Sequence, residues 1–122
     1  MKILVVDDSK TMRMIVKRTL RQAGFEAHEV VEAGNGVEAL EVIRTAAPDV
    51  VMSDWNMPEM NGLQLLQKMT EDGLRPRFGF VTSEGTAEMR ETARQAGAQF
   101  FISKPFTPES FEAQLTPVLA GA

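Results

Sequence analysis

The chain contains no cysteine and no tyrosine, and it has one histidine and one tryptophan. Without cysteine there is neither a disulfide framework nor a thiolate metal centre, which suits a reducing compartment. The lone histidine, His28, has no second histidine to support a zinc site or a phosphohistidine role. Long apolar runs are missing: nothing approaches the roughly 20 residues that span a bilayer, and the opening MKILVVDD is too short in apolar residues for a secretory signal. A basic excess is missing as well. Lysine and arginine total 13 against 17 acids, for a net charge of -4, so no positive field gathers nucleic acid or anionic lipid. The expectation is a cytoplasmic protein with no direct nucleic-acid binding and no membrane insertion.

What is present is the make-up of an ordinary globular domain, 43% hydrophobic and 25% charged. With 122 residues, one domain over 1–122 buries roughly two thirds of its unfolded surface, and no output domain is expected. Four short apolar runs, at 3–6, 50–52, 78–81 and 100–102, do not alternate with polar residues, which predicts strands covered on both faces. A weaker fifth lies at 28–33, and Gly79 weakens its own strand.

Helical stripes separate these runs. Met12, Ile15, Val16, Leu20 and Ala23 lie between Ser9 and Gly24. Val37, Leu40 and Ile43 precede Pro48, and Leu63, Leu66 and Met69 precede Asp72 and Gly73. Met89, Ala93 and Ala96 fall between Thr86 and Gly97. A last helix has Thr107 as N-cap and Pro108 in first position, then Phe111, Leu115 and Val118. Pro117 within it is expected to kink or end it early. Strand and helix alternate five times, which predicts an α/β fold: a five-stranded parallel sheet sandwiched by five helices.

The residues that follow each strand carry the chemistry. Strand one delivers Asp7 and Asp8, strand three Asp54, strand four Thr82 and Ser83, and strand five Lys104. In a parallel sheet these carboxyl ends share one edge, where open α/β folds bind ligands. Carboxylates held 4 Å apart repel by about 4 kcal/mol per pair at an effective dielectric near 20, so a cation belongs among them. Mg²⁺ suits the position, since it takes hard oxygen ligands, one or two carboxylates and a phosphate oxygen. Lys104 then offers a point charge to a phosphoryl group and Thr82 a hydroxyl donor. Asp54, alone at the end of the middle strand, is the nucleophile candidate for phosphoryl transfer, and the pair Asp7 and Asp8 suits the metal.

The stretches VVDDS, SDWNMP, VTSE and FISKPF, spread over essentially the whole chain, resemble the receiver domain of two-component response regulators, and most of all its chemotaxis, CheY-like branch. The resemblance implies a flavodoxin-like receiver with strand order 2-1-3-4-5. It implies that Asp54 accepts a phosphoryl group from the phosphohistidine of a histidine kinase. Asp8, Asp54 and the backbone carbonyl of Asn56 would ligate Mg²⁺, with Asp7 assisting through water. Thr82 and Lys104 would hold the phosphoryl oxygens, Asn56 and Glu84 would tune hydrolysis, and the Lys104 to Pro105 bond would be cis. Phe101 takes the aromatic switch position, here without a hydroxyl. The implied activity is that of a stand-alone, monomeric, chemotaxis-like regulator, not a turnover enzyme. Its target, such as a flagellar motor switch, would bind the face of helix four, strand five and helix five.

Two departures accompany the likeness: Pro117, which falls on that output face, and a slightly longer segment between Asp8 and Asp54. The alternative is a small aspartyl-phosphate phosphatase of the haloacid dehalogenase type. Its nucleophile motif requires a second acid two positions on, where this chain has Asn56. GNGVEA, residues 34–39, formally matches a dinucleotide fingerprint, but a tight turn explains Gly34 and Gly36 equally well. Met12, Met69 and Met89 read as core filler, while Met14, Met57 and Met60 fall on or beside loops and helix surfaces.

Overall fold

The computed structural model describes residues 1–120. Strands β1 (Lys2–Val6), β2 (Glu29–Ala33), β3 (Val50–Ser53), β4 (Arg77–Thr82) and β5 (Phe100–Ser103) alternate with helices α1 (Lys10–Gln22), α2 (Gly36–Ala46), α3 (Gly62–Glu71), α4 (Ala87–Gln95) and α5 (Pro108–Ala120). The strands pair in the order β2-β1-β3-β4-β5, parallel throughout, as the resemblance implied.

Successive residues of each strand face opposite sides, and each side meets its own helices. Ile3, Val5, Val50, Met52, Val81, Phe100 and Ile102 pack with Val16 and Leu20 of α1 and with Phe111 and Leu115 of α5. Leu4, Val6, Val51, Phe78 and Phe80 pack with α2, α3 and Ala93 of α4. Coverage on both sides is why β1, β3 and β4 read as unbroken apolar runs. Strand β2 lies at the sheet edge and is only partly buried, which accounts for its weak signal, and it starts at Glu29, one residue later than expected.

The anticipated caps recur. Ser9 accepts from the Met12 amide, and Thr86 accepts from that of Met89. Thr107 accepts from the Ser110 amide on α5, and α3 adds a reciprocal capping box of Asn61 and Gln64 that was not anticipated. Gly79 has a packing reason: a Cβ there would lie 2.2 Å from the Phe100 ring, so the glycine is the slot that ring occupies.

Two expectations are corrected. Val37 is 53% exposed, since it sits in the first turn of α2 away from the sheet, and Ala39, Leu40 and Ile43 form the buried stripe. Helix α5 continues through Pro117 to Ala120. The proline is exposed and near the helix end, and the Ala113 carbonyl it deprives of a donor lies on an exposed residue that water can reach.

Candidate functional site

The parallel register aligns the strand ends. Val6 pairs with Ser53, Ser53 with Phe80, and Thr82 with Ser103, so the next residues emerge on one edge. Backbone bonds fix them there: the Asp54 amide donates to the Val6 carbonyl (2.9 Å), that of Asp7 to Ala33 (3.2 Å), and that of Lys104 to Thr82 (2.8 Å). Asp7 and Thr82 are buried, Asp54 and Lys104 are half-buried, and Asp8 is exposed.

Lys104 lies between two acids, its Nζ 3.3 Å from Asp7 Oδ2 and 3.3 Å from Asp54 Oδ2. Asp7 Oδ1 accepts from the Ser9 amide (2.9 Å), and Asp54 Oδ1 accepts from that of Trp55 (2.7 Å). Burial lifts the Asp7 carboxyl above the ordinary carboxylate range and the Asp54 charge adds to this, against the Ser9 amide and Lys104, which pull it down. Among the described residues, Asp7, Asp8 and Asp54 each offer a ligand atom within 4.8 Å of the others. One ammonium against three carboxylates leaves the cluster short of positive charge, and a donor set made only of oxygen suits a hard metal ion.

The remaining anticipated residues surround this centre. Thr82 Oγ1 accepts a long bond from the Glu84 amide (3.4 Å), and Asn56 Nδ2 donates to Glu84 Oε1 (3.0 Å), which ties the loop after β3 to the loop after β4. Phe101 is half-buried on the α2, α3 and α4 side of the sheet, while Phe100 is buried on the other side, as strand alternation requires. The Lys104 to Pro105 bond is cis. His28 is remote from the acids: its Nδ1 lies 3.1 Å from the amino terminus, beside the start of β1. Gly36 is explained by Met60, whose Cβ would be 2.8 Å from an added one, so this glycine has a packing reason that needs no dinucleotide.

Three features escaped the sequence reading. Arg13 Nη1 donates to the Asp7 carbonyl (2.6 Å) while its Nε bonds Glu32 (3.0 Å), bracing the backbone between the two leading acids. Gly62 lies against Asp54, with an added Cβ only 2.3 Å from the Asp54 carbonyl oxygen. The Trp55 ring packs on Phe80 (4.7 Å between centroids) and is tilted toward Phe101 (6.5 Å), so the residue after Asp54 joins an aromatic cluster with both rings. Helical periodicity signals none of these; only the glycine at the start of α3 and the clustering of aromatic types in SDW and FFIS gave a cue.

The sequence profile of the response regulator receiver domain matches residues 3–116. The chain belongs to this family. Among its relatives, the chemotaxis protein CheY1 of Helicobacter pylori (strain ATCC 700392 / 26695) is 46% identical, over 98% of this chain and 97% of that protein. The chemotaxis protein CheY homolog of Campylobacter jejuni (strain 81-176) is 43% identical, over 98% and 92%. In three dimensions the receiver superposes on the chemotaxis response regulator CheY4 of Vibrio cholerae with a TM-score of 0.83, at 34% identity and over 96% and 97% of the two chains. A receiver domain is part of a response regulator and not a turnover enzyme, and these relatives lend the phosphatase alternative no support. No helix of the receiver, among the described residues, is long and apolar enough to cross a membrane.

Proposed function

We propose that this receiver is a chemotaxis-type response regulator, in which Asp54 accepts a phosphoryl group from the phosphohistidine of a histidine kinase and the resulting change alters affinity for a protein target. The observation that carries the reading is the shared ammonium: Lys104 Nζ stands 3.3 Å from both Asp7 and Asp54, where it can follow a phosphoryl group onto Asp54.

In the transfer, an Asp54 carboxylate oxygen forms the new O–P bond as the P–N bond to imidazole breaks, and the imidazole nitrogen keeps the electron pair and takes up a proton. Lys104 and the Thr82 hydroxyl hold the equatorial oxygens, and Glu84 and Asn56, joined at 3.0 Å, govern how water reaches the acyl phosphate. Asp8, Asp54 and the Asn56 carbonyl would hold Mg²⁺, with Asp7 behind them through water. Bound there, the ion supplies neutralisation of the charge that phosphate brings to an already acidic edge.

Drawing Thr82 toward the phosphoryl group opens room for the Phe101 ring and changes the face formed by α4, β5 and α5. The resemblance points to a flagellar motor switch as the target and to a cytoplasmic location. The receiver also takes phosphate from small donors and loses it slowly by itself.

Trp55 reports on the test. Mg²⁺ titration followed by acetyl phosphate should change its fluorescence saturably, and mass spectrometry should find one phosphoryl group, on Asp54. Asp54→Asn should abolish the donor response and Asp8→Asn the Mg²⁺ response. Labelling of another residue, or multiple turnover of a phosphate ester, would overturn the proposal.

A further inference from the structure

Phe101 is held by a group outside the phosphoryl site. The Arg90 guanidinium lies over its ring, with Cζ 4.8 Å from the centroid. Arg90 Nη2 donates to Ser103 Oγ (2.6 Å) and its Nε donates to the Gly85 carbonyl (3.3 Å). One side chain on α4 thus touches the switch ring, the strand that carries it, and the loop that leaves Thr82. That loop sits directly on β5, since a Cβ on Gly85 would lie 2.5 Å from Ser103 Oγ.

We propose that Arg90 is a positioning residue that latches Phe101 in its resting orientation, taking the part that a hydroxyl on the ring cannot take here; this rests on the receiver reading of Asp54 and Phe101. The direction of the effect follows from the contacts. A cation over a ring face is attracted by the ring's quadrupole. Ser103 belongs to the sheet and does not travel with the ring, so a guanidinium bonded to it cannot follow Phe101 inward. Gly85 is three residues beyond Thr82, so movement of that segment toward Asp54 draws its carbonyl away from Nε. Both the ring contact and the loop bond are stronger before phosphorylation than after, and a group that favours one of two states lowers affinity for whatever favours the other.

Removing the latch should therefore tighten binding of a phosphoryl mimic. With beryllofluoride and Mg²⁺ monitored by Trp55, Arg90→Met should bind about 3- to 10-fold more tightly than the parent, the range expected when the cation–π contact and the exposed hydrogen bond are each only partly lost between the two states. Ser103→Ala should shift affinity the same way by less, and the double variant's total change should fall short of the product of the two single changes. Independently of affinity, NMR should find the Arg90 side-chain protons shifted upfield by the ring in the resting protein. Phe101→Leu should abolish that shift, and saturation with the mimic should reduce it. Unchanged or weaker affinity in Arg90→Met, or a ring-current shift that persists at saturation, overturns the latch and leaves the receiver reading standing. Absence of any beryllofluoride response in the parent overturns the receiver reading itself, and the latch as a regulator with it.

Discussion

The two edges of the sheet use the same residue types for opposite ends. At the carboxyl edge glycine provides space: Gly36 faces Met60, Gly62 faces the Asp54 carbonyl, and Gly85 faces Ser103, each with less than 3 Å for an added Cβ. At the amino edge, Gly73 ends α3 with a φ of +74° and open space around it, so there the backbone conformation matters and not the room. Charges divide in the same way. Asp49 at the amino edge accepts from the Lys2 amide in the open, whereas Asp7 is buried and shares one ammonium with Asp54, with the Asp8 carboxylate beside them. One edge closes the fold and the other holds unbalanced charge in a tight space, which is the arrangement expected of a site that works at some cost to stability.

The sharpest test sets the two kinds of glycine against each other. Gly62→Ala must push the Asp54 carbonyl or the Phe80 ring aside, and a loss of about 3 kcal/mol or more is expected for such overpacking. Gly73→Ala meets nothing and carries only the left-handed backbone penalty of about 1–2 kcal/mol. Urea unfolding of both variants decides the matter, and equal losses would break the contrast.

Asp7→Asn addresses the charge difference. The folded Asp7 carboxyl titrates above its unfolded counterpart, chiefly through burial. Its contribution to stability is therefore complete below the unfolded pKa and is lost as pH rises through the raised folded value. Asparagine has no such loss. The variant should be more stable than the parent at pH 7 by about 1 kcal/mol, the low end of the cost of a desolvated charge, and the gain should fade in acid. It should also weaken the Mg²⁺ response of Trp55, so that stability and function move in opposite directions.

Much of this contrast was legible in the sequence, and the part that was not has a common cause. Polar residues closing apolar runs announced Asp7, Asp54, Thr82 and Lys104, because a strand's last residue and its neighbour on the next strand share an edge once the sheet is parallel. Caps at Ser9, Thr86 and Thr107 were equally local. Phe101 as the aromatic position came from resemblance. Its contacts with Trp55 and Arg90 join residues far apart in sequence, and periodicity carries no trace of which rings meet. Val37 was misplaced because the buried face of α2 runs through Gly36, Ala39, Leu40 and Ile43, and a glycine gives no hydrophobic signal of the face it lies on. Gly79 read as a weakness because the Phe100 ring that fills its slot belongs to the neighbouring strand.

A smaller effect is expected at the amino edge, where Ala47, the C-cap of α2, adopts a left-handed backbone with φ of 47°. Ala47→Gly relieves that penalty but frees the unfolded chain, for a net gain of about 0.5–1 kcal/mol in urea unfolding. The Mg²⁺ and donor responses should be unchanged, since nothing at the acid cluster touches it.

The smallest effect separates two acids that share Arg13. Its Nη1 bonds the Asp7 carbonyl, and its Nε bonds Glu32, which Lys17 also reaches at 3.0 Å. Glu32 titrates below its usual range, first through the Lys17 hydrogen bond and then through Arg13, against partial desolvation. Its stabilisation is therefore present above the unfolded pKa and lost as pH falls through the lowered folded value, the reverse of Asp7. The Glu32 side chain is a third exposed, so solvent screening limits the effect to about 0.5 kcal/mol. Glu32→Gln should cost that much at pH 7 and low salt, and nothing measurable in strong acid or 1 M salt. If instead the loss were to survive high salt, the pairing would matter through the Arg13 brace on Asp7 and not through charge, which the Mg²⁺ affinity of the same variant would reveal.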